Sequence, residues 1–163
     1  MENKEKGEYC LAAFRILVGW IMLWPFFDKL LGLGFQTPSG SGLIDGVSPS
    51  SFVTYVTGGI FKDFYDSIGG NRFVDLLLMA GLLIMGISLI LGIASKLTTV
   101  FMIAFLLIMY SLCIPPKDNP LIDHRIILIA GLAATYFLGG YERLSLHSKW
   151  KELGIVKRFP ILE

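Results

Sequence analysis

The chain is poor in charge. Charged residues make up 17% of its 163 residues, against about 25% in ordinary soluble domains. Its two cysteines, Cys10 and Cys113, make no disulfide framework. The two histidines, His124 and His147, are far apart in the chain, and there is no Cys-x-x-Cys, so no metal constellation is expected. Gly-x-Gly-x-x-Gly, the Walker loop and the nucleophile elbow are also missing. These absences argue against a self-contained haem, flavin or nucleotide enzyme. The net charge of +1 supplies no concentrated basic face for nucleic acid.

Apolar residues are abundant instead. They form 54% of the chain, and the mean hydropathy is +0.66. A soluble domain of this size leaves most of its residues in touch with water, so it could not bury this much apolar surface. The composition points to a bilayer. Four stretches carry the signal: Tyr9 to Phe27 with the single charge Arg15, then Leu76 to Ala94, Leu97 to Ile114 and Ile126 to Tyr141 with none. A crossing helix needs about 20 residues. The fourth stretch is short and must recruit Leu121 to Arg125, which sets Asp123, His124 and Arg125 at the hydrocarbon boundary, where charge is costly. A signal peptide is the rival reading of the first stretch. Its length, Arg15 and the lack of an Ala-x-Ala site before Asp28 favour a retained helix.

The sequence therefore predicts an all-α polytopic membrane protein, a single domain built as an antiparallel four-transmembrane-helix bundle. The expected spans are about 9–31, 74–94, 97–114 and 121–141. Short interfacial helices are expected at about 49–57 and 60–68 in the first loop, and at about 145–153 near the C-terminus. Four spans put both termini on one side. Lys4, Lys6, Lys96, Arg143, Lys149, Lys151, Lys157 and Arg158 share that side, whereas Lys62, Arg72, Lys117 and Arg125 share the other. The excess predicts cytoplasmic termini. The long first connection reads either as a surface anchor or as a lid over an outward-facing pocket. Small residues at helical spacing, Gly131, Thr135 and Gly139 on the fourth span and Ser88 and Gly92 on the second, are expected to set helix contacts.

Polar groups converge on one end of the bundle. Asp28 and Lys29 close span one there, Asp75 opens span two, and Asn119 with Asp123, His124 and Arg125 precedes span four. Two readings stay open. Lys29, Asp75, Asp123 and Arg125 form ion pairs that fix the bundle, or they form a site, since a boundary ionisable group is a functional hypothesis by default. Asp123 also suits a helix N-terminus, where the dipole favours an anion. Arg15, about two turns into span one, either snorkels to the headgroups or faces the bundle as a donor for a carbonyl or anion.

These residues carry a resemblance. Arg15, Gly19, Trp24 and Asp28-Lys29-Leu30, followed by Gly32-Leu33-Gly34-Phe35, are similar to the opening block of the DoxX family of small four-helix membrane proteins. Gly81, Gly86, Leu91-Gly92 and Lys96 resemble its second block, and Pro115-Pro116, Asn119-Pro120 and Asp123 its third. The resemblance covers nearly the whole chain. In one departure, Arg125 stands where the family commonly has a histidine, and His124 precedes it. The resemblance implies a subunit of a membrane oxidoreductase that passes electrons to quinone, of the thiosulfate:quinone type. It implies a partner subunit or a homo-oligomer within the lipid bilayer. On that reading Asp123, His124 and Asp28 handle protons, and Arg125, Lys29, Arg15, Asn119 and Asp75 hold the substrate. A non-enzymatic membrane scaffold is the second reading. A small-molecule carrier is the third, weakened by the lack of a broken-helix pair.

Overall fold

A computed structural model describes residues 2–116, 119 and 121–162. Among them every regular element is helical. Four long helices carry the fold: α1 (Glu2–Leu31), α4 (Arg72–Leu91), α5 (Ser95–Ser111) and α6 (His124–Phe137). Short helices α2 (Phe52–Val56) and α3 (Lys62–Ile68) lie in the first connection. Helices α7 (His147–Glu152) and α8 (Gly154–Arg158) follow the fourth long helix. Helix α1 packs on α4 and α6, and α5 packs on the same two, closing an antiparallel bundle. The end that carries the first connection is called the loop end, and the opposite end the terminal end.

Local chemistry sets the boundaries. The Asn71 side chain accepts from the Phe73 N–H at 2.8 Å and starts α4. Gly92, at φ +65°, ends it, and the Ile93 N–H turns back to the Ser88 carbonyl at 3.1 Å. Helix α6 is shorter than the 121–141 stretch for the same kind of reason. Asp123 caps it by accepting the Arg125 N–H at 2.8 Å, and Gly139 at φ +84° prevents its continuation. Helices α1 and α4 are long and apolar enough to cross a membrane, while α5 and α6 have 17 and 14 residues.

Between the four helices lies a core of Val18, Met22, Leu82, Met85, Leu89, Met102, Leu106 and Leu132. The outer faces are also apolar: Leu17, Trp20, Leu76, Ile84, Phe101 and Ile127 are exposed. Only 28% of the apolar window of α1 and 39% of that of α4 is buried within the protein. Two small-residue contacts bring helices close. A Cβ at Gly86 would lie 2.9 Å from Leu23 Cβ and 3.0 Å from the Leu23 backbone N, and one at Gly19 would lie 3.0 Å from the Gly86 carbonyl. Gly131 faces the ring of Phe14 across the α1–α6 contact.

A second, smaller core straps the first connection to the loop end. Val53 and Tyr65 bury against Leu112, Tyr65 shares a hydrogen bond with the Ser111 hydroxyl, and the Gly58 N–H donates to the Leu112 carbonyl at 3.2 Å. The described part of this connection is thus packed onto the bundle. At the terminal end, the Leu146 N–H donates to the Leu91 carbonyl at 2.8 Å, and Trp150 Nε1 donates to the Leu162 carbonyl at 2.6 Å. The chain after α6 is held there, with Pro160–Leu162 as a final 3-10 turn.

Candidate functional site

The loop end holds two adjoining cavities. One, the chamber, is an open-sided cavity of about 540 Å³ lined by all four long helices. Its walls are mainly apolar, formed by Met22, Leu82, Leu106 and Leu128 among others, and its polar groups are Lys29, Gln36, His124 and Arg125. The other, the vestibule, is a cavity of about 390 Å³ under the first connection, lined by Thr37, Ser41, Ser48 and Tyr55 among others. Lys29, Gln36 and Phe52 line both. Both volumes fall within the roughly 300–1,000 Å³ typical of ligand pockets. Pro25 also lines the chamber. Having no N–H, it leaves the Ile21 carbonyl without its usual intrahelical donor on that same stretch of α1.

The expected site residues separate into three groups. Lys29, His124 and Arg125 meet at the chamber, and Asp123 joins them through Arg125. Arg125 Nη1 lies 2.5 Å from Asp123 Oδ2, and its Nη2 approaches Cys113 Sγ at 3.9 Å. Among Lys29, Asp75, Asp123 and Arg125 this is the one ion pair. Among the described residues Lys29 takes no carboxylate; its ammonium lies 4.2 Å from the centre of the Phe52 ring.

Asp28, Asp75 and Asn119 form the second group and are engaged with backbone. The fully buried Asp28 carboxylate accepts from the N–H groups of Phe35, Gln36 and Thr37 at 3.2, 3.0 and 2.7 Å. Asp75 Oδ1 accepts from the Ser48 hydroxyl and the Ser50 N–H, both at 2.7 Å. Asn119 Oδ1 accepts from Leu121 N and Ile122 N at 3.0 and 3.1 Å, shaping the approach to α6. Replacing Asp28 with alanine is expected to free residues 33–42. A hydrogen bond to a charged group contributes about 1.5–3 kcal/mol. Cleavage there by a broad-specificity protease should therefore accelerate by about tenfold or more. An unchanged cleavage rate would refute the anchoring role.

Arg15 stands alone at the terminal end. It is fully buried, and all five of its N–H donors are used on backbone carbonyls. Nη1 bonds Leu89 and Ile90 at the C-terminal end of α4. Nε bonds Gly140 at 3.2 Å, and Nη2 bonds Arg143 and Leu144 at 3.2 and 2.9 Å. The guanidinium also lies 5.3 Å from the centre of the Tyr141 ring, whose hydroxyl meets Thr99 Oγ1 at 2.9 Å. A cation at a helix C-terminus is favoured by the dipole, and no donor is left over for a ligand. Beside it, the Arg143 Nε donates to Glu8 at 2.9 Å. The Glu8 hydrogen bond, with Glu5 close by, raises the Arg143 pKa above its already high ordinary value.

Sequence reasoning missed Gln36 and Phe52. Phe52 falls within the short helix expected at about 49–57, but no local pattern says that its ring lies over Lys29. Gln36 had no signal at all, because its position follows from the grip of Asp28 on its N–H. Cys10 is exposed and Cys113 half-buried, and both are free thiols. Among the described residues no group of histidine, cysteine and carboxylate side chains is arranged to hold a metal.

The chain matches no protein-family model, no curated protein and no solved structure.

Proposed function

We propose that this is a DoxX-like integral membrane subunit of a quinone-linked oxidoreductase, with the quinone head group received in the chamber. The carrying observation is the chamber itself: apolar walls from four helices and a polar end bearing Lys29, His124 and Arg125. A quinone has the matching form, an apolar ring and tail with two carbonyl oxygens that accept hydrogen bonds. Lys29 and Arg125 are the donors for those oxygens. In this reading His124 and Asp123, the latter paired with Arg125, are the groups that hand over protons. When bound, a quinone would supply the capacity to accept two electrons and two protons. The chain's own part is to orient the ring and keep water from its apolar face. The resemblance suggests thiosulfate or another small sulfur compound as the electron source, with a partner subunit in the same membrane.

The membrane reading rests on the apolar exterior and the low burial of the two longest helices. A soluble core helix of equal hydropathy would be mostly covered by protein. In this reading all four long helices lie in the bilayer, and the basic residues of the terminal end put both termini in the cytoplasm.

The test is equilibrium binding of a short-chain ubiquinone and a short-chain menaquinone to the purified protein in lipid nanodiscs. One saturable site is expected. Arg125→Met and His124→Leu should each weaken it by about tenfold, equivalent to about 1.4 kcal/mol, while Lys62→Gln leaves it unchanged. Absence of saturable binding to the unmodified protein would reject the reading.

A further inference from the structure

We infer that the segment over residues 149–162 is a docking surface for the anionic phospholipid headgroups of the leaflet at the terminal end. Such a surface needs the bundle to lie in a bilayer, as the membrane reading has it, but owes nothing to the quinone. Residues 147–163 carry Lys149, Lys151, Lys157 and Arg158 against Glu152 and Glu163. Leu153, Ile155, Phe159 and Ile161 are interleaved with these charges. A segment that is basic and apolar at once matches a surface that is anionic at its headgroups and apolar just beneath them.

The segment is fixed to the bundle. Val156 is buried, the Trp150 indole N–H is tied to the Leu162 carbonyl, and the final 3-10 turn packs on α5. Left uncovered are Ile155 and Ile161, each 60% exposed, and Phe159, 50% exposed. The Phe159 N–H donates to the Ile155 carbonyl at 3.0 Å, so the two side chains share one flank of α8. The Arg158 guanidinium lies 5.7 Å from the centre of the Phe159 ring, so charge and apolar surface adjoin. Lys149, Lys157 and Arg158 are exposed, and among the described residues none has a carboxylate within ion-pair distance. The acids at the start of α1 do not offset them, because Glu2 pairs with Lys6, and Glu5 and Glu8 pair with Arg143. Pro160 shares a cavity with Ser95 and Lys96, which sets the segment level with the start of α5. On the membrane reading that level is headgroup depth, and the cytoplasmic leaflet supplies the missing negative charge.

The experiment uses the full chain, delipidated in mild detergent. It is equilibrated with equal amounts of phosphatidylglycerol and phosphatidylcholine of the same acyl chains, freed of unbound lipid on a sizing column, and its retained lipids are counted by mass spectrometry. Phosphatidylglycerol should be kept in an excess of about fivefold or more, the equivalent of at least one basic side chain at an anionic surface. High salt should lower that excess in the unmodified protein, a readout that needs no variant. The combined Lys149→Gln, Lys157→Gln and Arg158→Gln variant should bring it close to parity, with an unchanged circular dichroism spectrum because all three side chains are exposed. Ile155→Ser with Phe159→Ser should lower retained phosphatidylglycerol several-fold with every charge in place, and Lys62→Gln at the loop end should change nothing. Equal retention of the two lipids by a chain that needs detergent overturns the docking surface alone and leaves the exposed apolar side chains to a protein partner. An excess that survives the triple variant also overturns it. A chain that stays dispersed in buffer without detergent removes the membrane reading, and the docking surface with it.

Discussion

Arg15→Met is expected to be among the most destabilising single substitutions in the chain. The variant keeps the length and much of the apolar stem but withdraws five donors from buried carbonyls. Hydrogen bonds to a charged group contribute about 1.5–3 kcal/mol each and do not add fully, so a loss of at least about 3 kcal/mol follows. Arg15→Lys should recover only part of it, because an ammonium has three donors on a flexible stem and cannot reach both sides at once. Thermal unfolding in detergent, followed by circular dichroism, measures both. A melting temperature for Arg15→Met equal to that of the unmodified protein would show that the carbonyls find other partners and that the arginine is dispensable to the fold.

The second large effect is expected at the α1–α4 crossing. Gly86→Leu puts a branched side chain where a Cβ alone would lie 2.9–3.1 Å from the Cβ, N and Cα of Leu23. The obstruction is partly backbone, so no rotamer change relieves it. Overpacking costs about 1–3 kcal/mol where a core can adjust, and the upper end or beyond is expected here. Pushing α1 from α4 also draws Arg15 away from Leu89 and Ile90, which are on the same face of the contact. The two substitutions should therefore be non-additive: in the Arg15→Met background, Gly86→Leu should cost measurably less than it does alone. Strict additivity would mean that the glycine contact and the guanidinium act independently.

These two sites show what the sequence made legible. The four apolar stretches correspond to α1, α4, α5 and α6, because a run of apolar residues needs no knowledge of its neighbours. The ends of α6 were less accessible. Hydropathy carried on to Tyr141, whereas a positive φ at Gly139 and the caps decide where the helix stops. The small residues announced close packing, but the pairing of Gly86 with Leu23 depends on the crossing point. Arg15 was conspicuous in an apolar run, yet its partners are backbone carbonyls, which leave no mark in a sequence. The charged cluster at the loop end was legible from helix ends alone. Its division was not: Asp28 and Lys29 are adjacent and project about 100° apart around α1, so the carboxylate turns to the loop backbone while the ammonium lines the cavities.

The reach of Arg15 across the chain has a consequence for how the protein is made. Three of its five donors bond carbonyls of Gly140, Arg143 and Leu144, between 125 and 129 residues downstream. The ribosome delivers the arginine well before these acceptors. Until residues 140–144 are made, α1 carries a guanidinium whose final partners do not yet exist, so other acceptors must serve in their place. The terminal end is sealed only when the segment after α6 folds back beneath α1. Nascent chains released before Gly140 should leave α1 open there to quality control, because the carbonyls that cover the guanidinium are still missing.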